Sequence, residues 1–219
     1  MASIVLNNRL SVNQLGCIRG DRVLFKNLSF QLASGKILYV QGENGSGKTT
    51  LLRTLCGLSS PAVGDIQWNE QSIKSLAEDY HGQVLYIGHH AGIKDDLTAV
   101  ENILFSLTLA GYVTDRSQAI AALEALGIAR CADLPTRVLS QGQKRRIALA
   151  QLWLQDVPEQ TPMWILDEPF TALDRNMIKN LTQHIEKYVN NGGAVVFTSH
   201  QTPDFNADLV QSLTLGEHA

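Results

Sequence analysis

The spacing of apolar residues changes along the chain. Near the N-terminus, apolar and polar residues alternate over Arg9–Ile18 and over Arg22–Leu32, and Gly20-Asp21 lies between the two segments. A period of two is typical of strands with one buried face, and Gly-Asp is typical of a turn. The pattern therefore predicts two strands joined by that turn.

Further strands are predicted in shorter segments. These are Lys36–Gly42, 64–69, 82–88, Met163–Pro169 and Gly193–His200. The first and fourth are apolar enough to be buried on both faces of a parallel sheet.

Between the predicted strands, Leu and Ala recur at the intervals typical of a helix. This spacing predicts helices over Lys48–Cys56, within 98–132, over 141–155 and over Arg175–Val189. Together the elements predict a mostly parallel α/β core with an antiparallel β layer at the N-terminal end. We expect one domain over residues 1–219, with a helical subdomain inserted at about 90–158.

Composition narrows the class of protein. Of the 219 residues, 44% are hydrophobic and 18% are charged, and the net charge is −3. No basic excess exists to support general nucleic-acid binding, so no nucleic-acid partner is expected. Cys17, Cys56 and Cys131 are too few and too far apart for a disulfide framework or a metal site, and we expect buried, reduced thiols.

Hydropathy argues against membrane insertion. The longest apolar segment, Ile103–Val113, is shorter than the ~20 residues of a membrane span. The N-terminus lacks a basic start followed by an apolar core, so no signal peptide is predicted. We expect the chain to be cytosolic, and any work at a membrane to depend on another subunit.

The segment "GENGSGKT" (Gly42–Thr49) matches the phosphate-binding pattern G-x-x-x-x-G-K-[ST] between a predicted strand and a predicted helix. Glycines let backbone N–H groups face phosphate oxygens, the lysine reaches the β- and γ-phosphates, and the threonine hydroxyl serves Mg²⁺. The predicted nucleotide-binding residues are Gly42, Glu43, Asn44, Gly45, Ser46, Gly47, Lys48, Thr49 and Thr50.

Two carboxylates end the predicted strand "WILDEP" (Trp164–Pro169). Ligands of open α/β sheets bind at the carboxyl ends of strands. We therefore expect Asp167 to hold Mg²⁺ through water, while Thr49 supplies its hydroxyl to the same ion. Glu168, which faces elsewhere, can polarise a water molecule against the γ-phosphate.

Three more segments complete an ordered set: "LSQGQ" (139–143), "TALD" (171–174) and "TSH" (198–200). With the two motifs above, the set resembles the nucleotide-binding subunit of ABC transporters over nearly the whole chain. The resemblance implies a P-loop NTPase fold, the cofactors ATP and Mg²⁺, a homodimer, and integral membrane subunits as partners. It places the chain peripherally at the cytoplasmic face of the inner membrane.

The same resemblance implies roles for particular residues. The signature residues, which would contact the nucleotide of the partner subunit, are Ser140, Gln141, Gly142 and Gln143. Asp174 resembles an interface residue that links the two sites. His200 resembles a histidine that contacts the γ-phosphate and the attacking water.

Two positions depart from the family pattern. Arg19 stands where an aromatic residue usually stacks on adenine; a guanidinium can stack on a base, and a surface arginine is an equally good interpretation. Gln141 replaces a glycine of the signature, whereas Gly142, where the backbone approaches phosphate, is retained.

The adjacent histidines of "YIGHHAGIK" (86–94) form a third departure. Alignment places His89 where the family has a glutamine near Mg²⁺ and water, and His90 is the alternative. Imidazole is a poor Mg²⁺ ligand, so water or phosphate is the expected contact, and histidine would make this sensor pH-dependent. A shared metal is not expected, because neighbours on an extended segment point to opposite sides.

These local segments resemble the ATP-binding subunit of the haem-export transporters of cytochrome c biogenesis. The alternative is a non-transport ABC ATPase, such as a subunit of an iron–sulfur assembly complex. A chromosome-type ATPase is disfavoured, because Lys48 and Asp167 are not separated by a long coiled coil. The basic run Lys144-Arg145-Arg146 is interpreted as a solvated helix face with no ligand.

Overall fold

The computed structural model of the chain describes residues 9–20, 22–90 and 92–216. A four-stranded antiparallel sheet contains β1 (Arg9–Arg19), β2 (Arg22–Ala33), β4 (Val63–Trp68) and β5 (Gln71–Ser72), in the order β2-β1-β4-β5. The two predicted N-terminal strands are confirmed, and they pair from Arg9 opposite Ala33 to Arg19 opposite Arg22. Asp21 of the predicted turn lies outside the described residues.

A five-stranded parallel sheet forms the centre of the fold. Its strands are β3 (Ile37–Gly42), β6 (Val84–Ile87), β7 (Met163–Asp167), β8 (Ala194–Thr198) and β9 (Val210–Leu215), in the order β6-β7-β8-β3-β9. Because the strands are parallel, the phosphate-binding segment after β3 and the carboxylates that end β7 lie at one edge. The sequence analysis did not predict β9.

The helices are α1 (Lys48–Leu55), α2 (Ile73–Leu76), α3 (Glu78–His81), α4 (Ala99–Leu109), α5 (Arg116–Ala125), α6 (Gln141–Leu154) and α7 (Arg175–Asn190). Single turns of 3₁₀ helix occur at Ala129–Cys131, Thr136–Val138 and Ala207–Leu209. Capping boxes begin α4, α5 and α6, so local sequence sets where each helix starts. Within the described ranges, no helix is long and apolar enough to span a membrane.

Alternate residues of the central strands enter two different cores. On β7, Met163 and Ile165 join the apolar cluster beneath α1 and the antiparallel sheet, whereas Trp164 and Leu166 join the cluster beneath α4 to α7. The sheet is therefore covered on both faces, as the continuous apolar strands predicted. Cys17, Cys56 and Cys131 are buried and free, as expected.

Candidate active site

The phosphate-binding segment joins β3 to α1 through glycines that the backbone requires. Gly42 has φ 142°, and a Cβ there would lie 2.6 Å from the carbonyl oxygen of Leu215 on β9. Gly47, with φ 102°, caps α1 without a side-chain hydrogen bond. The first N–H groups of α1 are therefore available to an anion. Ser46 Oγ is buried and has no hydrogen-bond partner in the described part of the chain, as suits a group that would meet phosphate.

The side chains of Lys48 and Thr49 lie at the start of α1. Lys48 Nζ donates to the carbonyl oxygens of Gly42 at 2.6 Å and Glu43 at 3.0 Å, which folds it back over the loop. Thr49 Oγ1 donates to Asp167 Oδ2 at 2.8 Å. The structure thus brings together two oxygen ligands, from α1 and β7, of the kind that Mg²⁺ takes.

Thr198 holds the carboxylate-bearing end of β7. Its hydroxyl donates to Asp167 Oδ1 at 2.7 Å and accepts from the backbone N–H of Glu168 at 3.0 Å. Both Thr198 and Asp167 are buried. The sequence analysis assigned no role to Thr198; a hydroxyl at the carboxyl end of an otherwise apolar strand was the available signal.

Glu168 turns away from Asp167 because its backbone is left-handed, with φ 53°. A non-glycine residue with positive φ is uncommon, and such residues cluster at functional sites. Glu168 Oε2 accepts from the backbone N–H of His200 at 3.1 Å, and the His200 imidazole Nε2 lies 3.5 Å from Oε1. Glu168 is nearly buried, whereas His200 is largely exposed. The two adjacent carboxylates therefore have separate partners.

These groups line one cleft of about 450 Å³. The predicted site residues along it are Arg19, Asn44, Gly45, Gly47, Lys48, Thr49, Thr50, His89, Asp167, Glu168 and His200. Leu24 and Thr171 also line the cleft, although the sequence analysis did not select them. His89 rather than His90 contributes to the wall, which matches the first of the two alignments.

The expectation that His89 and His90 point to opposite sides is wrong. Their rings are 5.4 Å apart in an edge-to-face arrangement. Strand alternation does not apply, because β6 ends at Ile87. Among the described residues, no group of three or more His, Cys, Asp or Glu side chains is arranged to hold a metal ion.

The signature residues begin α6 and do not line the cleft. Ser140 Oγ accepts from Gln143 N at 3.2 Å, and Gln143 Oε1 accepts from Ser140 N at 2.8 Å. A Cβ on Gly142 would lie 2.8 Å from the carbonyl oxygen of Ala172. Packing against that carbonyl within the same chain therefore requires glycine here, whether or not phosphate approaches it.

Asp174 begins α7 by accepting from the backbone N–H of Met177 at 3.0 Å. That hydrogen bond, and then the charge of Arg146, which forms an ion pair with Asp174, hold the pKa of this carboxyl below its usual range. Asp174 is well exposed. The structure therefore gives it a capping role within the chain and leaves much of it accessible.

The interpretation of Lys144-Arg145-Arg146 as a solvated face is wrong. Lys144 pairs with Asp95 at 2.6 Å, and Arg146 pairs with Asp174. Arg145 is only 6% exposed and donates to backbone carbonyls at the ends of β6 and β7. Successive helix positions diverge by about 100°, so the three side chains have separate environments.

The fold, the phosphate-binding segment and the carboxylates define a P-loop ATPase of the ATP-binding-cassette class. A profile described as "ABC transporter" matches residues 25–171. Among similar solved structures, a putative ABC transporter ATP-binding protein from Pyrococcus furiosus has a TM-score of 0.78 and 22% identity, covering 94% of this chain and 97% of that one. A dimeric ATP-binding cassette bound to ADP and Pi has a TM-score of 0.76 and 21% identity, covering 95% and 97%.

Similar sequences define the group more narrowly. The cytochrome c biogenesis ATP-binding export protein CcmA of Nitrosospira multiformis is 48% identical, covering 92% of this chain and 96% of that protein. CcmA of Nitrosomonas europaea is also 48% identical, covering 94% and 95%. The chain belongs to the CcmA family of ABC transporter ATP-binding proteins. It is an ABC-type ATPase that binds ATP and hydrolyses it to ADP and phosphate.

Proposed function

We propose that the chain is the motor subunit of an export transporter in cytochrome c biogenesis, of the haem-export type. The observation that carries this proposal is one cleft in which Lys48, Thr49, Asp167 and Glu168 meet, in a chain 48% identical to named export proteins. The non-transport alternative, iron–sulfur assembly, is not favoured by those relatives. The whole of residues 1–219 acts as one nucleotide-binding domain, with residues 90–158 as its helical subdomain.

The nucleotide phosphates bind against the loop of residues 42–50. The N–H groups of α1 and the Lys48 ammonium face the phosphates, and Lys48 exchanges its carbonyl acceptors for phosphate oxygens. Thr49 through its hydroxyl, and Asp167 through water, would hold Mg²⁺, which would neutralise phosphate charge. Thr198 keeps the Asp167 carboxylate oriented for this contact.

Hydrolysis depends on Glu168. Its carboxylate accepts a proton from the attacking water, and the backbone N–H of His200 fixes one of its oxygens. The exposed His200 imidazole contacts the γ-phosphate. His89, on the same cleft wall, contacts the phosphate or the water rather than the metal. Arg19, which lines the same cleft, is the residue that would stack on the base.

The site is completed in a homodimer. Ser140, Gln141, Gly142 and Gln143 lie outside the cleft of their own chain, so they are free to face the nucleotide of a second copy. The N-terminus of α6 directs N–H groups and the positive end of the helix dipole at that anion. Asp174 lies at the interface. The dimer docks on integral membrane subunits at the cytoplasmic face of the inner membrane.

Glu168→Gln tests the hydrolytic assignment. Glutamine keeps the shape and an acceptor for the His200 N–H but is a far weaker base, so kcat falls by about 10²-fold or more. Calorimetry finds ATP affinity close to that of the parent, and sedimentation finds an ATP-dependent dimer. Glu124→Gln removes a carboxylate on the exposed face of α5 and leaves turnover unchanged. Near-normal turnover of Glu168→Gln would show that another group is the base.

Two further measurements test binding and partners. Lys48→Ala abolishes ATP binding by calorimetry, and normal affinity would refute the phosphate-loop assignment.

The tagged chain, recovered from detergent-solubilised native membranes, carries integral membrane proteins with it. Recovery with soluble scaffold proteins alone would favour the iron–sulfur alternative.

A further inference from the structure

Arg145 is a buried cation that none of the roles above uses. It belongs to α6, the helix that begins at the signature segment, and only 6% of it is exposed. Its Nη1 donates to the carbonyl oxygen of Gly88 at 2.9 Å. Its Nη2 donates to the carbonyl oxygens of Asp167 and Glu168, each at 2.8 Å. One guanidinium therefore joins the segment after β6 to the carboxylate-bearing end of β7.

The partners of Arg145 are unusual for a buried charge. Among the described residues, no carboxylate lies within 4.0 Å of its guanidinium, so the cation is held by backbone carbonyls alone. Its Nε is also buried without a hydrogen-bond partner in the described ranges. Burying a charge in this way is costly, and an apolar side chain would fill the space at lower cost. An apolar residue, however, could not replace the planar guanidinium group, which donates to several acceptors at fixed angles.

The preceding residue anchors the other end of the same segment. Lys144 Nζ pairs with Asp95 at 2.6 Å. Consecutive residues of α6 thus hold the chain at Gly88 and at Asp95, and His89 lies between these two points. The helix that presents Ser140 to a partner subunit is therefore tied to Glu168 and His89 of its own site.

We propose that Arg145 is a positioning residue of the ATPase site, which sets Glu168 and His89 relative to the nucleotide and passes movements of the signature helix to them. This inference rests on the proposed function, in which the start of α6 contacts nucleotide across a dimer. Arg145 does not line the cleft. It acts through the carbonyls of Gly88, Asp167 and Glu168, and small displacements of reacting groups are expensive in rate.

Two substitutions separate the guanidinium geometry from its charge. Arg145→Lys retains a cation that cannot bridge three carbonyls in the same way, and Arg145→Met retains an unbranched chain without leaving a buried charge. Arg116→Met is the matched control, because Arg116 forms an exposed ion pair with Asp133 on the helical region. All are made in the full chain, and activity is measured in the complex with its membrane proteins.

We expect both Arg145 variants to lose tenfold or more in kcat while the KM and the calorimetric Kd for ATP stay within about threefold. Arg116→Met retains parental values. Hydrogen exchange of the isolated chain rises in peptides covering 84–98 and 163–171 but not in 42–55. A residue that served only fold stability would lower the melting temperature without this kcat-against-KM split or this local pattern.

Three outcomes would overturn the inference. They are parental kcat in either folded variant, unchanged exchange at 84–98 and 163–171, and failure of both variants to fold, which would assign Arg145 to fold stability. Glu168→Gln is measured alongside. If Glu168→Gln is inactive while the Arg145 variants turn over normally, the inference alone fails. If Glu168→Gln turns over normally, the proposed hydrolytic role fails, and the exchange data still decide whether Arg145 holds the two segments.

Discussion

Replacing Thr198 by valine removes a hydroxyl that contacts the Asp167 carboxylate and the Glu168 backbone, and changes little else in shape. That hydroxyl donates to Asp167 Oδ1 at 2.7 Å and accepts from the Glu168 N–H at 3.0 Å, and Thr198 is completely buried. Valine therefore leaves the backbone N–H of Glu168 without an acceptor, and it removes one hydrogen-bond donor from the buried carboxylate of Asp167. We expect losses of both stability and activity.

The loss of stability follows from the two bonds. An unsatisfied buried N–H costs about 1–3 kcal/mol, and a hydrogen bond to a charged group contributes about 1.5–3 kcal/mol. Asp167 keeps the Thr49 hydroxyl on its other oxygen, so the second cost is partial. We expect the free energy of unfolding to fall by about 2–4 kcal/mol, a large part of the 5–15 kcal/mol typical of a domain.

Urea unfolding at pH 7.5 measures this change, and ATP turnover of the transporter complex reports on the carboxylates. Thr182→Val is the matched control, because its buried hydroxyl only donates to the carbonyl of Ile178 one helical turn earlier, a carbonyl that α7 already engages. Thr198→Ser keeps the hydroxyl and retains most of the activity. If Thr198→Val and Thr182→Val lost the same stability, or if Thr198→Val kept parental kcat, the assigned role of Thr198 would be wrong.

Three further predictions concern other parts of the molecule. His89→Gln changes the rate of ATP turnover, whereas His90→Gln, outside the cleft wall, does not. Equal turnover of His89→Gln and its parent would refute the sensor role. Gly193→Ala costs about 1–3 kcal/mol or more in urea unfolding, because its Cβ would overlap the buried ring of Tyr188; unchanged stability would mean that this ring can move. Burial lowers the pKa of His184, so as the pH drops below about 6.5 the unfolded chain binds a proton before the folded chain does, and the free energy of unfolding falls. His184→Gln removes this pH dependence; if the dependence persists, another group causes it.

Elements whose signals are local could be predicted from the sequence. The glycines of the phosphate-binding segment, the apolar run before Asp167 and the capping residue Ser140 each act within a few residues of themselves. The strand β9 was missed, because it is an edge strand with only Leu215 fully buried and shows no clean alternation. The contact that β9 makes with the phosphate-binding segment is long-range in sequence, because the Leu215 carbonyl oxygen packs against Gly42.

The motif residues of the site could also be predicted from the sequence, whereas a residue whose role depends on strand pairing could not. Motif order identified Lys48, Asp167 and Glu168, and these do meet in one cleft. It gave no reason to choose Thr198 as the residue that binds both the Asp167 carboxylate and the Glu168 backbone N–H, because that depends on the pairing of β7 with β8. The left-handed backbone of Glu168 is likewise invisible in a sequence, since nothing about glutamate favours positive φ.

The basic run on α6 shows why charge patterns mislead on an interior helix. Three consecutive residues of a helix cover about 200° of its circumference, so Lys144, Arg145 and Arg146 cannot form one face. On a helix with one solvated face, at least one of the three side chains would therefore point toward the core. The four residues that follow, Ile147 to Ala150, are all buried. The apolar segment after the run was thus the available sign that α6 is surrounded by protein. On such a helix an arginine must find acceptors inside the fold, and Arg145 finds them in the carbonyls at the ends of β6 and β7, beside the proposed hydrolytic site.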